Sequence, residues 1–217
     1  MKSLAVCVIS NRDHVPDFSA CLASLVSHFC NNPIAERFEL KAAKNQSLLP
    51  VARQAMLDEC MSQHFSHMLW LDDDMVFPPY LAHALAAHKK RCIGVNSLRK
   101  NPDELFYTAK GIDGKWVESK GKTGVEEVST VGLAMFLLDL DAVRKVPKPH
   151  FEVRWNDEGG FYSGEDMYFC RKLTGAGEKV WIDHGLSNQC GHVGQLVYNY
   201  SFYDRFNGAW PTRSQTG

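Results

Sequence analysis

The sequence predicts an α/β domain on a mixed central sheet, with a doubly wound first half. Three observations point there. Residues 1–96 alternate short apolar runs with segments of helical spacing. One of those runs, His67–Leu71, stops at three consecutive aspartates, Asp72-Asp73-Asp74. The second half changes to shorter, polar-alternating runs broken by turn residues. Runs that are apolar throughout are the mark of strands buried on both faces. Their alternation with helices is the pattern of βαβ units and a parallel sheet covered on both sides.

Taken in order, Leu4–Ile9 is a Val/Ile-rich run and predicts the first strand. Pro16 to about Phe29 carries Phe18, Cys21, Leu22, Leu25 and Phe29 at helical spacing, and Phe38–Ala43 reads as the second strand. Pro50 opens a helix with Ala52, Ala55, Met56 and Cys60 on one face; proline suits a first turn, where its missing N–H costs no hydrogen bond. His67–Leu71 is a third strand, Pro78-Pro79 starts a helix carrying Leu81 and Leu85, and Cys92–Asn96 is a fourth strand. Beyond it, Leu105–Ala109, Lys115–Glu118 and Val125–Val131 predict short strands, with Gly111-Ile112-Asp113-Gly114 as a turn. Ala134–Leu138 is apolar again. Ser163–Leu173 predicts a helix closed by Gly175 or Gly177, and Lys179–Asp183 a last strand. The weakest boundary falls at 97–125. The tail, 196–217, is rich in aromatics without a period.

Composition bounds the function. With 45% hydrophobic and 23% charged residues the chain is an ordinary globular one. A net charge of −1 gives no overall field to draw it to nucleic acid or an anionic membrane. Seven cysteines without a C-x-x-C pair fit a reducing compartment, so a cytoplasmic protein is expected, in a host cytoplasm if the gene is a phage's. The apolar start is too short for a signal peptide or a membrane span, so no integral membrane segment is expected.

The aspartate triplet is the strongest chemical signal. Carboxylates this close resist joint ionisation, and a divalent cation removes the conflict. Hard oxygen ligands suit Mg²⁺ or Mn²⁺, which take one or two carboxylates plus substrate phosphates. The triplet also ends a buried strand, where open α/β sheets bind ligands. The plainer alternative is that these residues cap the helix at Pro78 or are simply solvated.

The string Leu69-Trp70-Leu71-Asp72-Asp73-Asp74-Met75-Val76-Phe77-Pro78 resembles the D-x-D segment of family 2-like glycosyltransferases of GT-A fold, including those common in bacteriophage and bacterial genomes. The resemblance spans most of residues 3–195. It implies one GT-A domain with a Rossmann-like first half: 1–96 for the nucleotide, 97–195 for acceptor and catalysis. It also implies a metal held by Asp72, Asp74 and His192 against the diphosphate of a nucleotide-sugar. Donor contacts are implied from Ser10, Asn11, Arg12, Arg53, Asp72, Asp73 and Gly132, the last flooring the sugar pocket from a strand at 131–135. Glu165 and Asp166 stand where the family has its catalytic pair, with Asp166 as the base that deprotonates the acceptor hydroxyl.

Each of these has a plainer reading. Ser163-Gly164-Glu165-Asp166 is also a capping-box pattern, and acidic residues favour a helix start without any catalysis. His184 competes with His192 as the ligand. Trp155, Phe161 and Tyr162 are either a platform for an acceptor sugar or core. The expectation is a metal-dependent transferase moving one sugar from a donor, UDP-linked by default, to a glycan, protein, lipid-linked or modified-DNA hydroxyl, with inversion. The rival readings are a nucleotidyltransferase, which lacks its glycine loop at Ser10–Asp13, and a non-catalytic nucleotide-sugar-binding module.

Overall fold

The structure is a computed structural model, and it describes residues 1–10, 15–43, 48–99, 107–157 and 160–194. Strand β1 (Ser3–Ile9) is buried along its whole length. Helix α1 (Pro16–Asn31) follows and returns the chain to the edge strand β2 (Arg37–Ala43), which pairs in parallel with β1. Helix α2 (Leu49–Ser62) carries Pro50 in its first turn. It buries Ala52, Met56 and Cys60 as expected, together with Leu57 and, unexpectedly, Arg53, while Ala55 faces solvent. Strand β3 (His67–Asp72) lies parallel to β1 on its other side.

A two-residue strand, β4 (Met75–Val76), comes directly after the triplet. The proline pair does not start the next helix: α3 (Leu81–Ala87) begins after it, and Pro78 accepts a turn bond from Leu81. Strand β5 (Cys92–Gly94) closes the first half. The strands expected at 105–109 and 115–118 are not formed among the described residues, because only isolated bridges occur at Tyr107 and Trp116. A two-residue strand β6 (Lys110–Gly111) takes their place, overlapping the expected turn. It pairs with β7 (Val125–Thr130). Residues 131–134 are a connection rather than a strand, and β8 starts at Met135 and runs to Asp139.

A hairpin not foreseen in the sequence, β9 (Arg154–Asn156) and β10 (Phe161–Ser163), precedes helix α4 (Glu165–Gly175). Strand β11 (Val180–Asp183), the short helix α5 (His184–Ser187) and β12 (Gly191–His192) complete the described chain.

Among the described residues the central sheet has eight strands in the order β2-β1-β3-β8-β5-β11-β7-β6. It is mixed: β8 runs antiparallel between β3 and β5, and β7 antiparallel beside β11. Alternate residues of β1 and β3 feed two separate cores, as a pleated strand requires. Leu4, Val6, Val8, Leu69 and Leu71 pack under α1 and α3. Ala5, Cys7, Met68 and Trp70 pack under α2 and α4. Trp70 anchors the second core, edge-to-face with Phe151 and Phe169. No helix among the described residues is long and apolar enough to cross a membrane. All seven cysteines are free thiols.

Candidate functional site

The parallel strands deliver the aspartate triplet to the carboxyl edge of the sheet. Asp72 is the last residue of β3, and its N–H donates to Ala134 O at 2.9 Å, so the 131–134 connection runs beside it. From α2, Arg53 reaches the same place. Its side chain is only 2% exposed and lies 5.9 Å above the Trp70 ring. Nη2 donates to Asp72 Oδ1 at 3.0 Å and Nε to Glu165 Oε1 at 3.3 Å. One guanidinium therefore ties the end of β3 to the start of α4, two segments more than ninety residues apart in sequence. Its third nitrogen, Nη1, is buried with no hydrogen-bond partner among the described residues. A guanidinium expected to face the donor is thus largely committed to two carboxylates.

Asp73 accepts a short hydrogen bond from the Ser10 hydroxyl at the end of β1, and the Ser10 N–H donates to Ala43 O, which locks that corner. Asn11 and Arg12 lie outside the described residues. Strand β12 pairs antiparallel with β4, placing His192 opposite Met75 and bonding Val193 N–H to Asp74 O at 2.7 Å. The histidine thus arrives next to Asp74 by backbone pairing. Its Nδ1 is hydrogen-bonded to the carbonyl of Leu98. A carbonyl can only accept, so Nδ1 carries a proton, and in the neutral ring it is Nε2 that has the lone pair. Metal-binding histidines commonly have this arrangement, with the other ring nitrogen donating to a carbonyl. His184 has no such freedom: it is buried, with Nδ1 against Ser119 Oγ at 2.9 Å and Nε2 against Glu126 at 3.0 Å.

Helix α4 does not begin with the expected capping box. Its N-cap is Gly164, which has no side chain, and the Ser163 hydroxyl is buried in β10 without a partner among the described residues. Asp166 instead accepts from the N–H of Met167 at 2.6 Å. The turn there is tight enough that a Cβ on Gly164 would sit 2.8 Å from Asp166 Oδ1. Burial pushes the Asp166 carboxyl above the ordinary aspartate value and Asp72 adds to this, against the Met167 hydrogen bond and the charges of Arg53 and Arg99. Glu165 is raised for the same first reason, burial, with Arg53 opposing and Asp166 reinforcing.

The sequence reading missed three contributors. Arg99 acts electrostatically on Asp166 and lies over Trp116, although nothing in its local pattern marks it. Asn96 is buried and fully used: Nδ2 donates to Val117 O at 2.7 Å and Ser119 Oγ at 3.0 Å, and Oδ1 accepts from the backbone of Thr108 and Ala109. It folds 107–119 onto the sheet. Leu98 O fixes the tautomer of His192. Gly132 is buried in the connection between β7 and β8, and a Cβ there would lie 3.2 Å from Thr108 Cβ, so close packing on that segment accounts for the glycine.

Among the described residues no three His, Cys, Asp or Glu side chains stand together as a ready-made metal cage. Asp74, in the turn just before β4, and His192, on its partner strand β12, are nevertheless a hard carboxylate and an imidazole brought close, which suits Mn²⁺ or Mg²⁺ if phosphate oxygens complete the shell.

No family model and no curated protein sequence matches the chain. Its fold does match solved structures. A197 from STIV superposes with a TM-score of 0.53 at 14% identity, covering 92% of this chain and 97% of that one. GalNAc-T7, solved with UDP, GalNAc and Mn²⁺, gives 0.51 at 16% identity, covering 90% of this chain and 44% of that one. S. aureus TarS 1-349, solved with UDP-GlcNAc, gives 0.51 at 14% identity, covering 93% and 61%. The fold is GT-A, with a mixed central sheet. The chain spans less than two thirds of the length of each of the last two.

Proposed function

We propose that this GT-A domain is a metal-dependent glycosyltransferase that moves one sugar from a nucleoside-diphosphate sugar to an acceptor hydroxyl. One observation carries the reading: Arg53 joins the aspartate edge of β3 to the Glu165–Asp166 start of α4. Donor chemistry and base chemistry need to sit side by side, and this guanidinium holds their residues together. The structures of like fold solved with UDP, Mn²⁺ and UDP-GlcNAc support a nucleotide-sugar donor.

In this reading Asp74 and His192 Nε2 would hold the divalent ion, with Asp72 and Asp73 lining its approach. When bound, Mn²⁺ or Mg²⁺ supplies charge neutralisation to the departing diphosphate. Arg53 positions Asp72 and Glu165 rather than reaching the donor itself. Asp166 is the general base. Its Oδ1 is held by the Met167 N–H, which leaves Oδ2 for the proton of the acceptor hydroxyl. The oxygen so freed attacks the anomeric carbon from the side opposite the leaving group, inverting it. A raised pKa suits a base that must bind that proton, and proton transfer of this kind is worth about 10²–10⁴-fold.

The test is a donor screen. UDP-, GDP-, CDP- and dTDP-sugars are incubated with the protein and Mn²⁺, and free nucleotide is measured. At least one should be turned over slowly without acceptor, and chelation should stop it. No turnover of any of them, together with no nucleotide binding, would remove the proposal.

A further inference from the structure

Beside the N-terminus of α4 lies a cavity of about 540 Å³, lined by Arg154, Trp155, Asn156, Asp157, Ser163 and Arg171. It is within the roughly 300–1,000 Å³ that small-molecule clefts occupy. Four observations give it a ligand-like character. Ser163 is 3% exposed and lines this cavity, and its hydroxyl has no partner among the described residues. Such a group ordinarily finds one. Trp155 and Tyr162 are cross-strand partners on the β9–β10 hairpin with ring centroids 5.0 Å apart, yet they are 52% and 70% exposed. A hairpin that turns two large rings to solvent, through Gly160 at φ 65°, does not bury them as core. The polar lining mixes donors (Arg154, Arg171), an acceptor (Asp157) and groups that do both (Asn156, Ser163). Finally, Ser163 is two residues before Glu165 and three before Asp166.

We infer that this cavity is the acceptor subsite and that its ligand is a neutral glycan, one sugar ring stacked on Trp155 and its hydroxyls bonded by the mixed lining. The inference rests on the glycosyltransferase reading above. Aromatic faces take the C–H face of a sugar ring, and alternating donors and acceptors match hydroxyls, which are both. A polyanionic acceptor fits less well, because the Asp157 carboxylate lines the cavity. In the basic run Lys89-Lys90-Arg91, Arg91 is already bonded to Asp139 and Glu178, and Lys90 lies 3.7 Å from the Trp181 ring centroid.

The experiment uses the full chain with UDP and Mn²⁺ present. Binding is measured on an array of neutral oligosaccharides and in solution by tryptophan fluorescence, with a single-stranded oligodeoxynucleotide and a polyglycerol phosphate as anionic probes. The inference expects a neutral oligosaccharide to bind saturably. Trp155→Ala, and separately Tyr162→Ala, should weaken that binding at least tenfold. Both rings are exposed, so folding should survive either change. UDP affinity, measured in the same samples, reports on the donor site. UDP binding without Trp155-dependent glycan binding overturns the acceptor assignment alone. Trp155-dependent binding of the oligodeoxynucleotide or the polyglycerol phosphate in place of glycans overturns its chemistry. Failure of UDP to bind falls instead on the parent reading.

Discussion

Strands β1, β2 and β3 run side by side in parallel for six or seven residues each, whereas β5 has three residues and β6 two. Strands β1 and β3 are held by apolar packing on both faces, with Trp70 set edge-to-face against the stacked pair Phe151 and Phe169. The described residues of 95–99 and 107–130 are drawn together by polar ties: Asn96 gathers Thr108, Ala109, Val117 and Ser119, and His184 bonds Ser119 and Glu126. The apolar region fixes where the aspartate edge lies. The polar region brings Arg99 and Leu98 to it. A rigid floor with a side wall tied by a few hydrogen bonds suits a site whose wall must admit a second substrate.

This contrast can be tested by substitution, beginning with the largest effect. Asp166→Asn should lower turnover by about 10²–10⁴-fold while leaving nucleotide affinity intact, as steady-state rates beside calorimetry would report. Unchanged turnover would leave Asp166 a helix-terminal residue only. Trp70→Ala removes the centre of the apolar core and should cost about 3–5 kcal/mol in urea unfolding, with protection from hydrogen exchange falling across the whole sheet. Asn96→Ala should cost about 1–3 kcal/mol, the usual penalty for buried groups left unpaired, with lost protection confined to 107–119. If that loss spread into β1 and β3, the two regions would not be separately held.

The smallest effects concern pH. Asp166 has a folded pKa raised by burial, so its contribution to stability is full below the unfolded pKa and is lost as pH rises through the folded one. At neutral pH its ionised form therefore opposes folding. Asp166→Asn should raise Tm by roughly 2–4 °C near pH 7, about 1 kcal/mol in a domain of this size, and the gain should vanish in acid. The same shift predicts that kcat/KM rises with pH along an acid limb above the ordinary aspartate range. A limb at the ordinary value would place Asp166 in water.

Much of this was legible in the sequence, for reasons tied to particular residues. Continuous apolar runs such as Leu4–Ile9 and His67–Leu71 have one stable solution, a doubly buried strand, so the first half and its aspartate edge could be read directly. Period-2 alternation across 105–118 could not be, because Asn96 replaces strand pairing there with side-chain bonds to the backbone. The hairpin at 154–163 was hidden for a similar reason: its exposed rings break the rule that aromatics mark core. Arg53 was expected to face a ligand and is found 2% exposed between two carboxylates. Its partner Glu165 is 112 residues away, a separation no local pattern encodes. The sequence leaves His184 competing with His192; the pairing of β12 with β4 sets His192 beside Asp74, whereas His184 is bonded to Ser119 and Glu126, a long-range difference no local pattern encodes.

The central claim is that the edge formed by Asp72, Asp73 and Asp74 is a donor site completed by a metal ion. It is tested most directly by titrating UDP into the protein calorimetrically, with and without Mn²⁺, and repeating the titration with Asp74→Ala. The account predicts binding that requires the metal and is lost in the variant. Metal-independent binding, or metal-dependent binding that survives Asp74→Ala, would contradict it.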